Sequence, residues 1–468
     1  MTDFRMLING EMVSGNETFP VINPALGEPF AEAPECSDDQ LEAAIRGAQD
    51  AFPAWSQDLP KRREMLMALG SAIQAKAPEI AKILTQEQGK PIDKATAEVM
   101  GSAIQVQIAA KLEIPTETIR DDDKGLIEVH RKPFGPVAAI TPWNYPVAIA
   151  MGKVATALVA GNTVILKPSP FTPLSTLMVG EVIKDALPPG VMNVVSGRDP
   201  LGSKLTAHPT IRKIDFTGSV GTGKKVAAAA APDLKRFTLE LGGNDPAIVL
   251  PNANPKEIAT RLFWGAFTNS GQVCTAVKRV YVHESIHDEL VAQMAEIAES
   301  SKVGNGMDKG VALGPINNKP QFNRVKELVE DTVNIGGKIV TGGHAFDDRS
   351  FCFENTIITN VDDDSRIVAE EQFGPVLPFL TYSDINDAIY RANNTHFGLG
   401  ASVWSSNIDE ATEVASQLVC GTAWVNQHLA LTPMAPFGGS KWSGIGYIHG
   451  HWGIEGATEL QVINVKRS

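Results

Sequence analysis

The chain has 468 residues, 43% of them apolar, 20% charged and 6% aromatic, the balance of a folded protein long enough for two or three domains. Lys and Arg number 41 against 54 Asp and Glu, and the resulting formal charge of −13 argues against a nucleic-acid partner. Cys36, Cys274, Cys352 and Cys420 lie far apart with no CxxC or Cys/His spacing, which argues against a disulfide framework and a bound metal. A reducing cytoplasm is the expected setting, with no membrane attachment, because no apolar run reaches the ~18 residues of a span and Met1 to Arg5 has no leader character.

Residues of about 5 to 32 read as short strands and turns, with Asn9-Gly10 between Met6-Leu7-Ile8 and Met12-Val13 as a hairpin signal. Ser37 can cap a helix carrying Leu41, Ala44, Ile45 and Ala48, and Pro60 can open another with Met65, Leu66 and Leu69 at helical spacing. Between Leu112 and Pro133 the acidic turn Asp121-Asp122-Asp123 separates two extended stretches, a hairpin arm. With the C-terminal strand candidate Leu460 to Val465, this arm is expected to pair with a neighbouring subunit rather than its own core; a surface hairpin of a monomer is the other reading. From Gly135 onward Val137–Ile140, Thr163–Leu166 and Asn193–Val195 alternate with helical stretches, the pattern of a parallel sheet. A second α/β stretch from about Pro246 to Asn426 offers strands at Ala247–Leu250, Arg279–Val282, Pro378–Leu380 and Ala423–Val425, so a cleft between two lobes is expected.

Cys274, in Gly271-Gln272-Val273-Cys274-Thr275, and Glu240, in Leu239-Glu240-Leu241-Gly242-Gly243, offer a thiol nucleophile and a carboxylate base. Phe216 to Lys225 follows a short strand and precedes an Ala-rich helix, a place where phosphate can meet helix N–H groups. Gly218 to Lys224 fits a P-loop frame, but Lys225 stands where Ser or Thr would reach magnesium, and the G-x-G-x-x-G fingerprint is absent. A structural glycine turn accounts for it equally well. Lys167-Pro168-Ser169-Pro170 ends a strand, where Lys167 can hold ribose or phosphate or simply face solvent.

Together, Pro142-Trp143-Asn144-Tyr145-Pro146, Lys167-Pro168-Ser169, Phe216-Thr217-Gly218-Ser219, Glu240-Leu241-Gly242-Gly243, Gly271-Gln272-Val273-Cys274, Glu371-Gln372-Phe373-Gly374-Pro375 and Pro436-Phe437-Gly438-Gly439 resemble the aldehyde dehydrogenase superfamily in order and spacing. The resemblance implies an α/β protein with two Rossmann-like lobes, cofactor and catalytic, and a small β oligomerisation arm. The expected boundaries are 1–111 and 133–241 for the cofactor domain, 242–445 for the catalytic domain, and 112–132 and 446–468 for the oligomerisation domain of a homodimer or homotetramer. The resemblance makes Cys274 the nucleophile, Asn144 the oxyanion donor, Glu240 the base for thioester hydrolysis and Lys153 a support for the proton path. It gives the cofactor Thr141, Pro142, Trp143, Lys167, Ser169, Pro170, Gly197, Phe216, Thr217, Gly218, Ser219, Leu241, Gly242, Glu371 and Phe373. The aldehyde pocket is expected at Tyr145, Ala148, Ile149, Gly152, Val273, Thr275, Gln427, His428, Leu429 and Phe437.

Two departures from the family pattern carry expectations. Pro170 replaces a Glu that binds the adenosine ribose hydroxyls in many NAD-preferring members, so NADP is expected to be accepted and even preferred to NAD. Tyr447-Ile448 follows Gly446 where the family often has Arg-Glu, leaving Glu240 to carry deacylation alone. Gly152 stands where some members carry a bulky aromatic, so a roomy pocket is expected, with Tyr145, Gln427 and His428 as polar groups and Leu429 and Leu431 as apolar wall. These favour a hydroxylated or sugar-derived aldehyde, with an aromatic aldehyde or a semialdehyde as alternatives. A CoA-acylating or phosphorylating dehydrogenase and a non-catalytic scaffold of the same fold are the rival readings, and Glu240 with Cys274 and Asn144 speaks against them.

Overall fold

The computed structural model describes residues 3–467 and forms the first hairpin as expected. Met6–Ile8 pairs with Glu11–Val13, and Asn9 and Gly10 take φ of 50° and 82°, as a two-residue turn between twisted strands requires. Ser37 caps the helix Asp38–Trp55 reciprocally: its hydroxyl accepts from the Gln40 N–H and the Gln40 side chain accepts from the Ser37 N–H. The helix expected from Pro60 starts at Leu59, because the Asp58 carboxylate accepts from the Lys61 N–H and caps it, and it runs to Gln88.

Two large sheets carry the site. In the first, Arg236–Glu240, Lys213–Thr217, Pro136–Ile140, Thr163–Lys167 and Met192–Val194 lie side by side and parallel. The chain works outward in one direction from Pro136–Ile140 and in the other from Lys213–Thr217, so the order reverses between these two strands, where open α/β sheets bind ligands. The register sets Lys167, Ile140, Phe216 and Leu239 in one row, with Glu240 one step beyond, opposite Thr217.

The second sheet runs Lys338–Thr341, Thr356–Thr359, Val376–Tyr382, Val277–His283, Asp245–Val249, Gly400–Trp404 and Thr422–Val425, antiparallel only at its first strand. Gly400–Trp404 is buried along its whole length yet carries Gly, Ala and Ser, too little β-branched character to announce itself in sequence. Leu241 to Asn244 alone join the end of Arg236–Glu240 to the start of Asp245–Val249. The carboxyl edge of the first sheet therefore meets the amino edge of the second.

The P-loop frame dissolves: Ser219 caps the helix Val220–Ala230, which puts Gly223 and Lys224 inside the helix instead of in a phosphate loop. The terminal strand joins the arm: Thr458–Lys466 pairs antiparallel with Gly125–Pro133 and is the edge strand of a three-stranded sheet with Glu117–Asp122. Its start is tied down locally, where the Asn162 amide donates to the Ala457 carbonyl (2.9 Å), so the strand emerges already beside the arm. Among the described residues no helix is long and apolar enough to cross a membrane.

Candidate active site

The helix Pro255–Phe267 breaks into a left-handed run, Asn269, Ser270 and Gly271, with φ of 54°, 56° and 71°. For the two non-glycine residues this costs roughly 1–2 kcal/mol each, and side chains hold the loop against it. Ser270 Oγ donates to the Gly314 carbonyl (2.7 Å), Asn269 Nδ2 to the carbonyls of Asn144 (3.2 Å) and Gln272 (3.3 Å), and Gln272 Oε1 accepts from the Asn317 N–H (2.8 Å). A Cβ at Gly271 would strike the Gly374 main chain. The loop delivers a partly exposed Cys274 just ahead of the strand Val277–His283.

Asn144 reaches this loop from the first sheet. Its Nδ2 donates to the Gln272 carbonyl (3.0 Å), while Oδ1 is buried without a partner. Its own carbonyl accepts from Lys90 Nζ (2.9 Å), which is paired at 2.5 Å with the buried Glu98 and lies 3.7 Å from the Tyr145 ring centre. The other Glu98 oxygen accepts from the N–H groups of Val147 (3.0 Å) and Ala148 (3.1 Å), a carboxylate at the N-terminus of helix Pro146–Val159. Sequence reading missed Lys90 and Glu98, because a Lys in a link between helices and a Glu on a helix ordinarily face solvent.

Glu240 ends its strand 3% exposed, and its Oε1 has no partner. Burial pushes its carboxyl well above the usual carboxylate range, Lys153 opposing and Asp215 adding to the rise. Lys153 is buried and ion-paired with Asp215 behind that carboxyl. Burial likewise pushes the Cys274 thiol up to about 12; Lys278 opposes this, while the charges of Glu240, Glu371 and Asp245 reinforce it. Thiol and carboxyl therefore sense each other within one site.

The residues expected to hold a dinucleotide line the carboxyl edge of the first sheet. Thr141 and Thr217 each present a buried hydroxyl with no partner, and Ser219 caps a helix whose first N–H groups suit a phosphate. Trp143 meets Phe373 edge-on with ring centres 5.2 Å apart, and Phe373 takes φ of 47°. Glu371 Oε1 accepts from the Gly243 N–H (3.1 Å), with Gly242 packed so closely that a Cβ there would strike the same carboxylate. Leu241 and Phe216 are buried beside them, and Gly218 abuts the Phe216 ring, so that a Cβ would stand 2.5 Å from its edge. Lys167, pushed down to about 8 by burial, lines with Pro170, Arg198 and Lys204 a cleft of about 930 Å³. Ser169 accepts from the Phe171 N–H at the turn, Gly197 lies against Leu201, and Pro142 is half-buried. The orphaned hydroxyls and the close-packed glycines fit a nicotinamide dinucleotide.

The expected aldehyde pocket is met only in part. Tyr145, Ala148, Ile149 and Leu429 are half-buried, Val273 and Phe437 are 8% exposed, and Gln427 is exposed. Gly152 opens no room: a Cβ there would lie 2.8 Å from Gln105 Nε2, because the Gln105 side chain, bonded to His449 Nδ1 (3.3 Å), fills the place. His428 is withdrawn from the pocket as well. Its imidazole is wholly buried against Trp424, with Nε2 on the Thr275 carbonyl (2.5 Å), and burial pushes it down to about 3, so it braces the nucleophile loop from behind as a neutral ring. Thr275 itself is 1% exposed.

The sequence model of the Aldehyde dehydrogenase family matches residues 12–463. A protein of Gibberella moniliformis whose name places it among the aldehyde dehydrogenases is 40% identical over 452 residues, 96% of each chain. The NAD+ complex of an aldehyde dehydrogenase from Bacillus cereus is similar in structure, with a TM-score of 0.97 at 34% identity, covering 100% of this chain and 97% of the other. An NADP-dependent enzyme of E. coli gives a TM-score of 0.96 at 33% identity over 99% and 98% of the two chains.

Proposed function

The chain belongs to the aldehyde dehydrogenase family, whose members oxidise aldehydes with NAD(P), and on that premise we propose that Cys274, Asn144 and Glu240 carry the reaction. The observation that carries this reading is the Asn144 amide bonded at 3.0 Å to the loop bearing Cys274, with the Glu240 charge felt at the same sulfur. The Cys274 thiolate attacks the aldehyde carbon to give a thiohemiacetal. Asn144 Nδ2 and the Cys274 N–H hold the oxyanion, each such donor contributing roughly 3–4 kcal/mol to the transition state. The bound nicotinamide cofactor supplies the hydride acceptor, which leaves a thioester on Cys274. Glu240 then takes a proton from water, which attacks the thioester and releases the carboxylic acid. Burial suits Glu240 to this, since a carboxylate held above its usual range is a stronger base than an exposed one. Lys153, paired with Asp215, keeps a positive charge behind it. Glu240→Gln is expected to accumulate an acyl adduct on Cys274, read by mass spectrometry after mixing with aldehyde and cofactor. A variant that turns over without adduct would refute the assignment, and faster turnover on adding CoA would favour the acylating reading.

We propose further that NADP is accepted and preferred. Pro170 itself places no carboxylate beside Lys167, Arg198 and Lys204, and of the four carboxylates lining the cleft Glu35 and Asp38 are engaged by Arg198 (2.8 Å) and Lys204 (2.5 Å), with Glu17 and Asp199 the other two. Steady-state kinetics with both cofactors test this; a hundredfold advantage for NAD overturns it. The substrate proposed is a hydroxylated or sugar-derived aldehyde. With Gly152 and His428 removed from the argument, its support is the polar Gln105–His449 pair where an aromatic would stand, together with Tyr145. A panel of sugar, aromatic, aliphatic and carboxylated aldehydes decides it. For the arm, 112–132 with 446–468, we propose homo-oligomerisation, supported by the exposed Leu460, Val462 and Val465 on its outer strand. Residues 1–111 with 133–241 and residues 242–445 are then the cofactor and catalytic domains. The spaced free cysteines favour the cytoplasm.

A further inference from the structure

Lys278 follows Cys274 on the chain and is one of three buried lysines, with Lys167 and Lys213, that have no carboxylate partner among the described residues. Lys90, Lys153 and Lys235 each meet a carboxylate, Glu98, Asp215 and Asp233. Lys278, its side chain wholly buried, instead has its partners among the described residues in the nucleophile loop itself: Nζ donates to the carbonyls of Val273 (2.7 Å), Cys274 (3.3 Å) and Ala276 (3.3 Å). Burying an ammonium on neutral carbonyls is costly, so the arrangement calls for a reason. Geometry supplies one. The Val273 carbonyl and the Cys274 N–H belong to the same planar trans peptide and point in opposite directions. Holding the carbonyl on Lys278 turns the N–H of the same peptide away from the ammonium.

Charge supplies a second reason. The groups facing the Cys274 sulfur are Glu240 at the end of the first sheet, Asp245 at the start of the second, Glu371 on the loop ahead of Val376–Tyr382, and Lys278. Arg279 is turned away onto the carbonyls of Asn244 (2.9 Å) and Ala392 (3.0 Å), and His428 is neutral. Against three carboxyl groups, the ammonium of Lys278 is the cation that opposes them at the sulfur. We propose that Lys278 is the positioning residue of the nucleophile: its ammonium grips the carbonyls of Val273, Cys274 and Ala276, aims the Cys274 N–H at the oxyanion and stabilises the thiolate. The inference rests on Cys274 being the nucleophile.

The test is the rate of Cys274 alkylation by iodoacetamide against pH, followed on the Cys274 peptide by mass spectrometry, which needs no aldehyde. In Lys278→Met the midpoint is expected to rise by about one pH unit, a tenfold loss of thiolate below it. The value of kcat should fall about 100-fold, as for a misaligned oxyanion donor, with KM for aldehyde within about threefold and cofactor binding retained. A purely structural lysine would lower the melting temperature and leave the alkylation midpoint where it was, and that result in a folded variant overturns the proposal. If Lys278→Met does not fold, Lys278→Arg and Lys278→Gln answer instead: Arg, which keeps the charge, should hold the midpoint near that of the parent and Gln should raise it, and equal midpoints in the two variants overturn the proposal. Oxidation surviving in Cys274→Ala would sink the assignment of the nucleophile, whereas a flat Lys278→Met profile sinks this inference alone.

Discussion

The two sheet edges that meet at the site are built in opposite ways. The carboxyl edge of the first sheet opens at Lys167 and Pro170 into a cleft of about 930 Å³, shaped by turns after parallel strands and rich in charged side chains. The amino edge of the second sheet is dense: a left-handed run at Asn269, Ser270 and Gly271, main-chain carbonyls gathered on Lys278, and the buried carboxyls of Asp245 and Glu371 nearby. On the open edge the proposed cofactor preference turns on the single residue Pro170. On the dense edge the carbonyls of Val273, Cys274 and Ala276 share one buried ammonium, and its removal strands them.

Substitutions on the dense edge should have the largest consequences. Cys274→Ala is expected to remove oxidation almost completely, about 10⁴-fold or more in kcat, measured by reduced-cofactor absorbance; an activity within tenfold of the parent would place the nucleophile elsewhere. Asn144→Ala, which reaches across from the first sheet, should lower kcat roughly 10²–10³-fold with a smaller change in KM. If KM alone moves, Asn144 belongs to substrate binding and the oxyanion contact is wrong. On the open edge, Pro170→Glu should cut kcat/KM for NADP about 10–100-fold and spare NAD. Equal losses with both cofactors would mean that the turn had been distorted rather than its charge altered.

The smallest effect concerns stability. The folded-state pKa of Glu240 is raised, so the folded chain holds that proton more tightly than the unfolded one. Its contribution is present below the ordinary carboxylate value and is lost as pH rises through the raised one. Glu240→Gln should therefore melt about 1–3 °C above the parent at alkaline pH and no higher at pH 4, seen by scanning calorimetry at both. A uniform shift at all pH values would show that ionisation is not the cause. The same titration predicts that hydrolysis of the Cys274 thioester slows as pH falls through the raised value, because the base must be ionised to act.

Much of this was legible along the chain. Asn9-Gly10 announced its hairpin, Ser37 its helix, and the strands from Val137 to Val195 their parallel sheet, because turn chemistry, capping and hydrophobic period are local properties. Gly400–Trp404 escaped, since its small residues earn their burial from neighbouring strands. Lys90, Glu98 and Lys278 escaped for a related reason: a charged residue in a link, helix or strand carries no local mark of being buried. Gly152 and His428 misled, because an absent side chain says nothing of what moves into its place, and here Gln105 fills the one while the other turns behind the loop.

Sequence alone named the residues proposed for the chemistry and the order in which they come, since a thiol, an amide and a carboxyl in recurrent motifs are covalent facts of the chain. Only the tertiary structure decided what those groups are: a Glu240 raised by burial, an Asn144 amide held on the Gln272 carbonyl, and a Cys274 with Lys278 beneath it. Proton affinity and donor direction depend on solvent exclusion and on partners brought from distant parts of the chain, and neither is encoded at the position it governs.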